Sequence, residues 1–308
     1  MRRRTSLCWR SRRRRRGSPL FKFRGVHGKV PVTIFHTKHI GPPGTAPMTN
    51  RIDTRLAAAR VARRPALAPF ITVGYPSVEA SIETAKAVLD AGADVIELGV
   101  PFSDPLAEGP TIQRTSFQAL QQGVSYRTCL DALRKVRAHN RDAGLILMGY
   151  YNPLLSYGLE NAVRDATSAG ADGFIVPDLP TEEAGQFQKV CDAHGMYLIP
   201  LLALTSTDER IAAACKPAKG FIYCVSVTGV TGARAMVSAR VADLVKRIKK
   251  HTSLPVIVGF GVSSREHVQE IAKFADGAAV GSALLDAVGK AAPGKAAETA
   301  REFVRGLR

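Results

Sequence analysis

Residues 94–113 read DVIELGVPFSDPLAEGPTIQ. The first seven residues are a short apolar strand, Val95 to Val100 behind Asp94, with one carboxylate inside it, Glu97. The strand runs into a loop stiffened by Pro101, Pro105 and Pro110 that carries two more acids, Asp104 and Glu108. An acid among β-branched neighbours is costly unless it has a partner or a task. A single Glu in a strand is most often a solvated edge residue or half of an ion pair. Two features argue against that here. The run is apolar on both faces, as in a strand covered on both sides. Gly99 also falls on the face of Glu97 and leaves room beside the carboxylate.

Working outward, short apolar runs alternate with helical patterns from residue 68 on. The strands expected are 68–73, 95–100, 145–148, 173–176, 197–201, 221–225, 256–259 and 278–280. Helical spacing of three and four marks 78–91, 127–140, 159–169, 182–194, 208–215, 239–251 and 265–274, for instance through Leu130, Leu133 and Val136. Ala-Gly-Ala-Asp announces two of the strands, at 91–94 and 169–172, with Gly ending the preceding helix. Eight strand–helix units in about 240 residues predict a (β/α)₈ barrel, whose usual size is roughly 250 residues. A doubly wound open sheet is the alternative; it usually has five or six strands and a Gly-rich loop after the first. Here the Gly-rich ends come late, at Gly229-Val230-Thr231-Gly232, Gly259-Phe260-Gly261-Val262-Ser263 and Gly281-Ser282. Such ends on the last three strands of a barrel predict a phosphate site built of backbone N–H groups and helix starts.

The chain has 308 residues and a net charge of +17. That charge suggests nucleic acid until it is located. Residues 1–47 hold thirteen of the 43 Lys and Arg and none of the 26 Asp and Glu, so residues 48–308 carry only +4. The leader begins MRRRTSLCWRSRRRRRGSPL and shows no sustained period, which predicts disorder. It reads as upstream sequence translated in error ahead of a start at Met48, since Met48 directly precedes a helix expected over 52–61. A transit peptide and a tail for nucleic acid or an anionic surface are the alternatives. The catalytic domain is therefore expected to span 48–308. No apolar run approaches the ~20 residues of a membrane span. Five unevenly spaced cysteines (8, 129, 191, 215 and 224) form no C-x-x-C and predict free thiols in a reducing compartment, the cytoplasm, or a plastid if the leader is a transit peptide. His36 and His39 lie in the leader without helical context, and no metal site is expected.

The motifs together resemble the tryptophan synthase alpha subunit family from about Asn50 to Arg308. They are Glu-Leu-Gly-Val-Pro-Phe-Ser-Asp-Pro-Leu-Ala at 97–107, Gly-Pro-Thr-Ile-Gln at 109–113, Leu-Met-Gly-Tyr-Tyr-Asn-Pro at 147–153, Tyr223, and the three Gly-rich ends. The resemblance implies a cofactor-free, reversible retro-aldol cleavage of indole-3-glycerol phosphate to indole and glyceraldehyde 3-phosphate. Indole would pass to a beta subunit in an α₂β₂ tetramer, and pyridoxal phosphate would belong to that partner. Glu97 matches the general acid/base. Glu108 matches the acid that holds the ring N–H, although the family usually has Asp there. Tyr223 matches a residue near the substrate side chain. Phe70, Ile112, Leu147, Ile175 and Phe260 match the wall around the indole ring. Gly232, Gly261, Gly281 and Ser282 match the phosphate donors, residues 227–240 a mobile lid, and Asp104 a residue facing the partner. Two other outcomes share nearly every motif: a stand-alone lyase that releases indole, and a weakly catalytic subunit that mainly activates its partner.

Overall fold

A computed structural model describes residues 50–225, 234–259 and 261–308. The leader, the Gly-rich turn after strand Ile222–Val225, and Phe260 lie outside the described residues. Among these residues nine strand segments pair, all in parallel: β1 (Ala66–Thr72), β2 (Val95–Gly99), β3 (Gly144–Met148), β4 (Gly173–Ile175), β5 (Tyr197–Ile199), β6 (Leu201–Ala203), β7 (Ile222–Val225), β8 (Val256–Gly259) and β9 (Gly277–Val280). Their order is β5-β4-β3-β2-β1-β9-β8-β7-β6. The two ends of that order, β5 and β6, are one chain segment interrupted at Pro200. Proline has no N–H to give a ladder. Its carbonyl still accepts from Tyr223 N at 3.0 Å. Eight strands were expected, and the ninth is this division of the fifth. The result is a nearly closed (β/α)₈ barrel.

Among the described residues twelve helices pack on it: α1 (Arg51–Val61), α2 (Val78–Asp90), α3 (Pro110–Gln121), α4 (Tyr126–His139), α5 (Tyr151–Tyr157), α6 (Leu159–Ala169), α7 (Gly185–Ala193), α8 (Asp208–Cys215), α9 (Arg234–Ile248), α10 (Arg265–Ala272), α11 (Ser282–Lys290) and α12 (Ala296–Leu307). Gly92 and Gly170 end α2 and α6 with φ +102° and +97°. Among non-prolyl residues only glycine adopts this cheaply, so the Ala-Gly-Ala-Asp signal is a helix stop. Cys129, Cys191, Cys215 and Cys224 are free and buried. No helix among the described residues is long and apolar enough to cross a membrane.

The strand register separates two faces, because side chains alternate along a strand and bridge partners point the same way. Phe70, Glu97 and Ile146 are partners, as are Thr72 with Gly99, Gly99 with Met148, and Met148 with Ile175. This face is the lumen. Its lower end is filled by Ile52 of α1, which lies 3.2–3.4 Å from where side chains at Gly144, Gly173 and Gly220 would begin. The other face carries Leu98, Leu147 and Phe174 in register. Phe174 meets Phe187 of α7 edge-on at 5.3 Å, so this face packs on the helices.

α1 is fixed under the barrel by ions. Arg51 reaches Asp172 at 2.8 Å, Arg137 reaches the same carboxylate at 2.6 Å, and Asp172 accepts from Leu145 N at 2.8 Å. Asp172 is buried. Its removal leaves Arg51 and a strand N–H without their acceptor and Arg137, which otherwise meets only backbone carbonyls, without its carboxylate. Asp172→Ala should therefore lower unfolding free energy by about 3–5 kcal/mol, read as a shift in urea midpoint.

Candidate active site

Glu97 lies at the middle of β2 with every residue of that strand buried, and it is fully buried itself. Neither carboxylate oxygen has a hydrogen-bond partner among the described residues. Burial pushes its pKa well above the ordinary value of 4.5, and the nearby charge of Glu108 pushes it further. The expected room beside Glu97, over Gly99, is taken: a side chain at Gly99 would run into the ring of Phe70. The space is used by a wall residue rather than left open.

Glu108 sits on the loop between β2 and α3. Its N–H donates to Pro105 O at 3.0 Å, and its carbonyl accepts from Gln113 Nε2 at 2.9 Å. Gly109 then caps α3, with Pro110 as the first helical residue. Burial raises the Glu108 carboxyl to about 7. Tyr223 is buried on the lumen face of β7, one residue into the strand. Burial raises its phenol far, and both Glu97 and Glu108 add to the rise, so the three groups share one electrostatic site. Its hydroxyl lies 2.8 Å from where a side chain at Gly259 would begin, which explains the glycine on β8.

Tyr150, inside the 147–153 motif, has a role that the sequence does not reveal. Its ring stacks on Phe102 of the Glu108 loop, with centroids 5.1 Å apart. Its hydroxyl accepts from Ala107 N at 2.9 Å. Burial raises this phenol to about 12, partly offset by that bond. Tyr150 thus braces the loop one residue before the second acid. A tyrosine just past the C-terminal end of a barrel strand was the available signal.

Of the residues expected to wall an indole ring, Phe70 and Ile175 are buried on the lumen face. Ile112 of α3 reaches to 3.6 Å from where a side chain at Gly281 would begin, beside Phe70 at 3.4 Å. Leu147 must be corrected. It is fully buried in register with Leu98 and Phe174, on the helix side. Met148, one residue on, takes the lumen position between Gly99 and Ile175. Phe260 and Gly232 lie outside the described residues. The lid expected over 227–240 is described only from Arg234, where α9 begins earlier than the 239 expected from spacing.

Gly281 and Ser282 open α11 at the C-terminal end of β9, with no side chain capping the helix start. Its first N–H groups lack helical acceptors and can meet an anion. Gly261 follows β8 with φ +44°. Asp104 is exposed and accepts from Ser103 Oγ. Among the described residues no three His, Cys, Asp or Glu side chains come together as a metal group.

A parallel barrel with one buried carboxyl of raised pKa inside β2, a second on the loop beyond that strand, and an apolar lumen wall beside them has the features of an acid–base enzyme. A family model described as tryptophan synthase alpha chain matches residues 56–306. The tryptophan synthase alpha chain of Chloroflexus aggregans is 47% identical over 258 residues, covering 84% of this chain and 97% of that one. The tryptophan synthase of Saccharomyces cerevisiae is 42% identical over 261 residues, covering 84% of this chain and 37% of that one. The crystal structure of the alpha chain from Legionella pneumophila superposes with a TM-score of 0.77 at 35% identity, covering 84% of this chain and 96% of that one. The chain belongs to the tryptophan synthase alpha chain family, lyases of tryptophan biosynthesis.

Proposed function

We propose that the chain cleaves indole-3-glycerol phosphate reversibly to indole and glyceraldehyde 3-phosphate, with Glu97 as general acid and base. The observation that carries this role is a buried carboxylate in the lumen with no hydrogen-bond partner for either oxygen among the described residues. Such a group has its proton available for chemistry rather than held in a structural pair. A proton added to ring carbon 3 makes the positive indolenine. Loss of the proton from the adjacent side-chain hydroxyl then breaks the carbon–carbon bond. The bonding pair returns to the ring to give indole, and the hydroxyl carbon becomes the aldehyde. Glu108 accepts the ring N–H and stabilises the positive charge. Tyr223 stands near the side chain, while Phe70, Ile112, Ile175 and Phe260, with Met148 in place of Leu147, wall the ring.

The phosphate is assigned to backbone N–H groups of Gly232, Gly261, Gly281 and Ser282 and to the start of α11. Gly281→Val should raise KM for the phosphorylated substrate by roughly tenfold or more, because the added carbons press on Phe70 and Ile112 and crowd the helix start. Equal turnover and equal KM for indole-3-glycerol lacking its phosphate would sink the phosphate assignment.

The family implies a beta subunit as partner. The tryptophan synthase of yeast, of which this chain matches little more than a third, is long enough to hold a further part beside this one, in keeping with such a partner. Leu106 is 88% exposed two residues from exposed Asp104, on the loop that carries Glu108. An apolar tip of that kind suits a docking contact. On this reading the assembly is an α₂β₂ tetramer in the cytoplasm, the alpha reaction needs no cofactor, and pyridoxal phosphate serves the partner's half.

A further inference from the structure

The seam between α3 and α11 joins the two ends of the site. α3 starts immediately after Glu108, and α11 starts at Gly281 and Ser282. One turn into α11, Asp286 takes three contacts from α3. Thr111 Oγ1 lies 3.1 and 3.2 Å from its two oxygens, and Arg114 Nη2 lies 2.9 Å from one of them. Arg114 also reaches the Tyr75 hydroxyl at 3.4 Å and stands 6.0 Å over its ring. That hydroxyl is pressed against Gly289, further along α11. At the site end of the seam Ile112, Gly281 and Phe70 meet. A third tie holds α3 to β1: the buried hydroxyls of Thr72 and Thr115 lie 2.8 Å apart, and Thr115 donates to Ile112 O at 3.0 Å.

The consequence is mechanical. Thr111 is the second helical residue of α3, three positions after Glu108. A shift of the start of α11 is therefore transmitted through the Asp286 carboxylate to the backbone that carries the second acid. Asp286 and Arg114 are about half exposed, so their ion pair alone adds little to stability. The bifurcated Thr111 contact gives the link its direction.

We propose that Asp286, through Thr111, is a positioning residue that couples phosphate occupancy at the start of α11 to the placement of Glu108. This rests on the phosphate assignment above. Binding energy from the remote phosphate would then appear in turnover as well as in affinity. Neither side chain touches the reacting atoms.

The test compares kcat and KM for indole-3-glycerol phosphate and for indole-3-glycerol in the full chain and in D286A, D286N and T111V. In the native chain the phosphate should raise kcat as well as lower KM. D286A and T111V should cut that kcat advantage by about tenfold, the scale of a sub-ångström misplacement of a catalytic group. KM for the phosphorylated substrate should change less than threefold, and melting temperature by no more than a few degrees. D286N keeps an oxygen for Thr111 and should retain most of the advantage. If D286A folds poorly, T111V alone decides. Equal slowing of both substrates, or an intact kcat advantage in T111V, would overturn the coupling while leaving the phosphate site standing. A native chain that treats the two substrates alike would remove the phosphate site, and the coupling with it.

Discussion

Glu97→Gln should reduce turnover by 10² to 10⁴-fold and, at the same time, make the protein more tolerant of alkaline pH. The first effect follows from losing the general acid/base while keeping its shape. Substrate affinity should change little. A variant with more than a tenth of native activity would mean that Glu97 is structural. The second effect follows from linkage. The native pKa of Glu97 stands well above its ordinary 4.5, so between those two values the folded chain holds a proton that the unfolded chain releases. Stability carried by that proton is complete below 4.5 and drains away as pH rises through the native pKa. Gln does not titrate. The melting temperature of the variant relative to the native chain should therefore climb from pH 5 to pH 8. A flat difference would contradict the raised pKa. The native chain keeps an acid that costs it stability where it needs activity.

Glu108→Gln should slow the reaction by roughly 10²-fold or more, because the charge that stabilises the positive ring is lost. It should also move the acid limb of the pH–rate profile to lower pH. Glu108 titrates near 7 and adds to the upward shift of Glu97. Without that like charge, Glu97 ionises more readily. The limb belongs to the pair, so its movement, not its absolute position, is the diagnostic. Glu108→Asp separates charge from reach. The loop before it is braced by Tyr150 through Phe102 and Ala107, and Gln113 holds the Glu108 carbonyl. A loop so fixed does not follow a shortened side chain, so Asp should also lower activity. Activity raised by Asp would show a loop not adapted to the longer acid. A Gln variant as fast as the native chain would turn attention to Asp104.

The barrel was legible because its signal is repeated. Helix stops at Gly92 and Gly170, and apolar runs at regular spacing, need only local chemistry. Glu97 was legible because a lone acid in a doubly covered strand has few explanations. What failed depended on parity or on distant contacts. Leu147 and Met148 are adjacent in one apolar run, and a one-residue slip moves a side chain to the opposite face. Nothing in the run itself says which of the two looks inward; the register with Gly99 and Ile175 does. The filling of the space over Gly99 by Phe70 comes from a neighbouring strand, 29 residues earlier in the chain. The raised carboxyl of Glu108 likewise depends on how its loop folds onto the barrel, which spacing does not encode. Pro200 was readable in principle, since proline rarely continues a ladder.

That proline marks one of two places where the ring changes partner. β5 pairs with β4 and β6 with β7, so the chain passes from one ladder to the other at Pro200 without a break. β1 does the same at Pro69: Ala66–Pro69 pair with β9, and Phe70–Thr72 with β2. The barrel is therefore two half-sheets lapped at two proline-bearing strands. Glu97 belongs to one half, while Tyr223 and the strands that lead to Gly261 and Gly281 belong to the other. Whatever fills the lumen bridges the two halves.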